Sequence, residues 1–152
     1  MLAGFDHVAV LTADIDRFVD FYRDVFGAEV FGRITDGGAE IVALRIGPTA
    51  ELNVFQIEGN TEASRQTPMF GRGRLDHFAL RATSLEQFDQ LRDELIRRGC
   101  TDGFVTDFGH VLSVFFRDPE GLELELCVGN PDAVPGRINP PGTPAIRYHG
   151  DA

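Results

Sequence analysis

The sequence predicts an α+β fold of two βαβββ modules in tandem. Three observations carry that reading. Hydrophobic periodicity gives a strand, a helix and three strands, and then the same order again. The two halves match at an offset of 70 residues: Asp6-His7 recurs as Asp76-His77, Ala9 as Ala79, Ile15 as Leu85 and Phe18 as Phe88. The stretch Phe115 to Val128, FFRDPEGLELELCV, reads as strand, turn and strand. In it Asp118-Pro119-Glu120-Gly121 has turn chemistry, and Leu122, Leu124 and Leu126 alternate with Glu123, Glu125 and Cys127.

Taken in order, Phe5 to Leu11 is a strand with Phe5, His7, Ala9 and Leu11 on one face and Val8 and Val10 on the other. Asp14 caps a helix from Ile15 to Phe26, whose Ile15, Phe18, Val19, Tyr22, Val25 and Phe26 form one stripe, and Gly27 stops it. Extended runs follow at Glu29 to Thr35, Glu40 to Ile46 and Leu52 to Ile57, with turns at Gly37-Gly38 and Gly47-Pro48. Residues 1–58 thus make the first module, and the polar residues 59–73 a linker. The second module, 74–129, begins with a strand from Leu75 to Arg81. Ser84 caps a helix to about Arg98, with Leu85, Phe88, Leu91, Leu95 and Ile96 inward and Gly99 as its stop. Phe104 to Asp107, Val111 to Arg117 and Leu122 to Val128 supply three strands. Residues 130–152 form a tail rich in proline, with the composition of a linker or a disordered end; an ordered tail of this kind is expected to pack along its own domain or a partner.

Composition narrows the function. The chain has 152 residues, 43% hydrophobic and 25% charged, which suits a soluble domain with a real core. All 14 basic residues are arginine, so Schiff-base and P-loop lysines are excluded. A net charge of −10 and the lack of a basic cluster beyond Arg72/Arg74 and Arg97/Arg98 argue against nucleic acid. No apolar run reaches membrane-spanning length, and Met1 to Ala13 lacks the basic start of a signal peptide. Cys100 and Cys127 form no motif, which points to a reducing, cytoplasmic setting.

The repeated Asp-His is the strongest chemical signal. If the copies pack with pseudo-twofold symmetry, their first strands meet and His7 and His77 face one cavity. A carboxylate on the last strand of the second copy closes the set, and Glu123 and Glu125 share the face that would supply it. Two neutral imidazoles and one carboxylate make a facial triad with open positions, suited to one divalent ion: Fe, Mn, Ni, Co or Zn. Asp6 and Asp76 alternate with the histidines and read as strand-end polar groups.

The starts FDHVAVLTADIDRFVDFYRDVFG and LDHFALRATSLEQFDQL, together with FFRDPEGLELEL, resemble the vicinal oxygen chelate superfamily over roughly residues 4 to 129. Glyoxalase I, methylmalonyl-CoA epimerase, extradiol dioxygenases and the fosfomycin- and bleomycin-resistance proteins belong to it. The resemblance implies a pseudo-twofold, mixed-sheet half-barrel enclosing a cavity, often completed in a homodimer. It implies His7, His77 and Glu125 as metal ligands, with Glu125 also the candidate catalytic residue. Aligning Leu52-Asn53-Val54 with Leu124-Glu125-Leu126 puts Asn53 at the fourth ligand position, where glyoxalase I-like enzymes have Glu and the epimerases Gln; another register offers Gln56 or Glu51. Asn is shorter and is no base, so a glyoxalase proton shuttle is in question.

These readings converge on a metal-dependent enzyme that binds a small oxygen-chelating substrate and works through a metal-stabilised enolate or oxyanion, as an isomerase or lyase. An Fe(II) extradiol-type dioxygenase and a metal-free drug-binding or antibiotic-resistance protein are the alternatives. Asn53, Gln56, His110 and Cys127 are further candidates for the pocket lining. Arg45, Arg81 and Arg117 are strand residues able to meet an anionic substrate.

Overall fold

A computed structural model describes residues 5–150. The chain divides into two compact units: one runs up to Gln66 and takes in Pro119–Gly121, and the other comprises Thr67–Asp118 and the chain from Leu122 onward.

The first unit contains β1 (His7–Leu11), α1 (Ile15–Phe26), β2 (Glu29–Asp36), β3 (Ala39–Ile46) and β4 (Ala50–Ile57). The Asp14 side chain accepts from the Arg17 N–H at the start of α1, and Gly27, at φ 65°, ends the helix in the left-handed conformation. The strands lie in the order β1-β4-β3-β2, with β1 parallel to β4 and the other pairs antiparallel. The helix stripe buries Ile15, Phe18, Val19, Tyr22 and Val25, and also Phe21, against the face carrying Val42, Leu44, Leu52 and Val54. Burying each such side chain is worth about 1.5–3 kcal/mol, so this face sets the strand register.

Glu120, from the Asp-Pro-Glu-Gly turn, is counted in this unit and is buried. One of its oxygens accepts from Thr12 Oγ1 at 2.6 Å, from the Ala13 N–H at 3.3 Å and from Arg17 Nη2 at 2.9 Å. These bonds satisfy a carboxylate that would otherwise be costly to bury.

The second unit repeats the topology. It contains β5 (Ala79–Arg81), α2 (Leu85–Arg97), β6 (Val105–Asp107), β7 (Val111–Arg117) and β8 (Glu123–Gly129), in the sheet order β5-β8-β7-β6 with β5 parallel to β8. Ser84 caps α2 by accepting from the Gln87 N–H. Phe88 and Leu95 are fully buried, as are Val105, Val114 and Leu124 on the sheet.

Two local expectations are corrected. The strand read from Leu75 starts only at Ala79, so residues 75–78 are free of strand alternation. Ile96 is 40% exposed rather than inward, since Leu95 takes the core position beside it.

The tail is ordered against the second unit rather than linker-like. The Asp107 N–H donates to Thr143 O at 2.8 Å and the Ala145 N–H to Val105 O at 3.0 Å, with a bridge pairing Thr106 and Pro144 between them. The tail therefore extends the sheet beyond β6. Pro144 stands at the position that needs no N–H, so the ring costs the ladder nothing. A short helix, α3 (Ile146–His149), follows. Tyr148 donates its hydroxyl to Asp89 of α2 at 2.6 Å, and the His149 ring stacks on Phe104 with centroids 4.5 Å apart.

Candidate functional site

The second unit brings together two of the three residues singled out as ligands. Ala79 of β5 lies in register with Glu125 of β8, and the Glu125 N–H donates to Phe78 O at 3.3 Å. His77 lies just before β5, outside the strand, and its ring comes up to Glu125. Its Nε2 lies 3.3 Å from Glu125 Oε2.

Two further residues hold that pair. Asp76 Oδ2 lies 2.7 Å from His77 Nδ1, so the imidazole stands between two carboxylates. An ionised carboxylate only accepts, so Nδ1–H donates to Asp76, and Nε2 is turned to Glu125 Oε2. The buried Ser113 hydroxyl donates to the other Glu125 oxygen, Oε1. The Phe70 and Phe115 rings stand edge-on to the imidazole, with centroids at 6.4 and 6.0 Å. A nitrogen lone pair and a carboxylate oxygen meeting across this gap repel unless a cation or a proton sits between them. The pair offers two donors of the kinds that bind divalent ions, and Asp76 behind the imidazole matches the carboxylate–histidine support common at metal sites.

Glu123 is engaged differently. It accepts from the Met69 N–H at 2.6 Å, from Arg72 Nη2 at 3.2 Å and from Arg117 Nη2 at 3.1 Å. Its carboxyl is held below the usual range, first by the Met69 N–H and then by Arg117, against some loss of hydration. Asp76 is likewise held low, chiefly by the His77 hydrogen bond.

The first unit carries the same framework with a different outfit. Ala9 pairs with Asn53 as Ala79 pairs with Glu125, which puts a half-buried amide at the equivalent place. His7 has a side chain 45% exposed, and its Nδ1 lies 2.9 Å from Asp6 Oδ2. The expectation that Asp6 and Asp76 turn away from the histidines is thus wrong in both copies. Both dipeptides lie at or before the first strand residue, where alternation does not bind, and each Asp bonds its neighbour's ring.

Gln56 Oε1 accepts from the Ile15 N–H at 2.7 Å, at the start of α1. His110 is exposed on the loop before β7. Cys127 is half-buried on the Glu125 face, and burial, then the charge of Glu125, pushes its thiol up. Among the described residues no group of three or more His, Cys, Asp or Glu side chains is placed to hold a metal ion. Two cavities of the second unit, about 250 and 490 Å³, lie beside Asn130 and Arg137 and beside Cys100 and Glu123; neither is lined by His77 or Glu125. Ser113 and Phe70 escaped the sequence reading, as did the role of Arg72, which it took only as one of a basic pair. The repeated Asp-His was visible, but its internal hydrogen bond was not.

Residues 4–126 match the model of the Glyoxalase/Bleomycin resistance protein/Dioxygenase superfamily. The chain belongs to this superfamily. Its two four-stranded mixed sheets, each with its helix, are the superfamily's α+β fold. Among solved structures, a glyoxylase/bleomycin resistance protein/dioxygenase domain from Frankia sp. EAN1pec is 19% identical with a TM-score of 0.73, covering 86% of this chain and 100% of its own. A glyoxalase family protein from Enterococcus faecalis is 25% identical with a TM-score of 0.63, over 82% of this chain and 97% of its own. A fosfomycin resistance protein from Listeria monocytogenes, in complex with Mn(II) and a dihydroxypropylphosphonic acid, is 18% identical with a TM-score of 0.66, over 86% and 96%. Comparison with curated protein sequences gives no match. No helix among the described residues is long and apolar enough to cross a membrane.

Proposed function

We propose that this superfamily member is a divalent-metal-dependent enzyme acting on a small oxygen-chelating substrate by isomerase or lyase chemistry. His77 and Glu125 hold the ion, and His7 joins them as third ligand, from the same chain or from a second copy in a homodimer working in the cytoplasm. The observation that carries this reading is the opposed pair, His77 Nε2 and Glu125 Oε2 at 3.3 Å, each backed by its own hydrogen-bond partner. The Mn(II) complex of a superfamily relative supports it.

When bound, the ion supplies Lewis acidity toward a substrate oxygen. The protein's own residues do the rest. Asp76 fixes the His77 tautomer, and Ser113 orients Glu125 so that one oxygen is committed and the other is available. Phe70 and Phe115 flank the imidazole edge-on and narrow the directions from which a ligand reaches it. Asn53 brings no base to the equivalent place in the first copy, so a proton transfer there needs a group from the substrate or from solvent.

Elemental analysis of protein purified without chelators or a histidine tag tests the reading. About one divalent ion per chain, lost in His77→Ala, is expected. Iron accompanied by oxygen uptake with catechols would instead favour the dioxygenase. No ion, and none taken up from excess divalent metal, would overturn the proposal and leave a binding protein in which a proton bridges His77 and Glu125.

A further inference from the structure

We propose that Asp76 is a positioning residue that ties the segment around Phe70 to His77, so that one carboxylate sets both the imidazole and the aromatic ring beside it. The inference builds on the metal site proposed for His77 and Glu125. One Asp76 oxygen, Oδ2, accepts from His77 Nδ1, and the other, Oδ1, accepts from the backbone N–H of Phe70.

Phe70 is unusual in two ways. It is the one non-glycine residue of positive φ among the described residues, at 64°. The left-handed region costs a side-chain-bearing residue roughly 1–2 kcal/mol, and it persists where surrounding bonds over-determine it. Phe70 is also 79% exposed, so core packing does not explain its conformation.

The surrounding bonds are present. Arg72, with a side chain only 9% exposed, donates Nε to Thr67 O at 2.6 Å and Nη1 to Asp76 O at 2.6 Å and to Glu123 O at 3.2 Å. Its Nη2 pairs with Glu123 Oε2, which also accepts from the Met69 N–H. The Gly71 N–H closes a turn onto Pro68 O at 3.0 Å. Residues 67–72 are thus fastened to β8 by a largely buried arginine. Phe70 stands at the tip of that turn, its ring at 87° to the imidazole, with Phe115 at 80° on the same ring. Both rings stand beside the imidazole without any ligand, and Asp76 keeps the Phe70 turn and the imidazole in register.

The test uses the full chain, first without metal. Long-range ¹⁵N NMR reads the His77 tautomer, and amide exchange reads the Phe70 N–H. In the wild type the account expects a Nδ1–H tautomer and a protected Phe70 amide. Asp76→Ala should lose both together. Asp76→Asn is the gentler variant: its amide oxygen still accepts from Phe70, while its NH₂ faces His77 and turns the ring to the Nε2–H tautomer. Phe70 protection should then survive, and Mn(II) affinity by calorimetry should fall about 10–100-fold, the usual loss on removing a ligand's hydrogen-bond partner. Phe70→Ala should leave the tautomer unchanged. A Nε2–H tautomer in the wild type, or a Phe70 amide and His77 ring indifferent to both Asp76 variants, would overturn the inference. Failure of the wild type to bind Mn(II) with the NMR results as expected would overturn the metal reading and leave the Asp76 link standing.

Discussion

The two copies share a topology and differ in what they place on it. Both have the strand order first-fourth-third-second, both have a helix capped by a short polar side chain, and both carry Asp-His at the entry of the first strand. In the first copy, the residue level with Ala9 is Asn53, and His7 faces water with Asp6 as its partner. In the second, the residue level with Ala79 is Glu125, and His77 meets it with support from Asp76 and Ser113. At this level the first copy has an amide where the second has a carboxylate paired with a histidine. Both copies keep the apolar face, which any copy needs to fold. The polar residues on the other face differ between the copies, as exposed polar positions can at little cost in stability.

The copies are also held by different accessories, which can be removed separately. Ending the chain at Asn130 strips the backbone pairing beyond β6 together with the Tyr148 and Arg147 bonds to Asp89. Several hydrogen bonds at about 0.5–1.5 kcal/mol each sum to a loss of roughly 3 kcal/mol. Hydrogen exchange should quicken in β6 and α2 while β3 and β4 keep their protection; uniform exchange across both copies would break the contrast. Glu120→Ala acts on the other side. It leaves the Thr12 hydroxyl and Ala13 N–H without that acceptor, costing about 1–3 kcal/mol, read as faster exchange at the start of α1.

Tyr148→Phe is smaller, at about 1 kcal/mol, because it removes a single hydrogen bond. It also has a pH sign. Burial, reinforced by the Asp89 hydrogen bond, raises the Tyr148 phenol above its ordinary value. A group raised in the folded state contributes stability that is fully present below its unfolded pKa, about 10, and is lost as pH rises through the folded value. Wild type should therefore lose more stability than Tyr148→Phe above about pH 10 in denaturant titrations. Equal slopes for the two would remove Tyr148 from the account.

Much of this was legible in the sequence, for identifiable reasons. The helix stripes, their caps and the alternation of Leu124 and Leu126 with Glu123 and Glu125 each follow one strong periodicity. The 70-residue repeat gave the topology twice over. What stayed hidden depends on contacts between segments. Glu123 and Glu125 share a face by period 2, and only the arrival of Arg72 and Met69 at one and His77 at the other tells them apart. Alternation put Asp76 and His77 on opposite sides, yet the strand begins after them. The proline-rich tail looked unstructured by composition, although the Thr143 C=O and the Ala145 N–H make the ladder bonds and leave Pro144 at a place that needs no N–H.

The central claim is that the second copy, and not the first, holds the metal-binding pair. Titrating metal-free protein with Mn(II) by calorimetry tests it most directly, comparing wild type with Glu125→Ala and Asn53→Ala. The account predicts one ion per chain in the wild type, an affinity lowered by more than about 100-fold in Glu125→Ala, and a change of only a few-fold in Asn53→Ala. Binding that survives Glu125→Ala and fails in Asn53→Ala would place the metal on the other copy and contradict it.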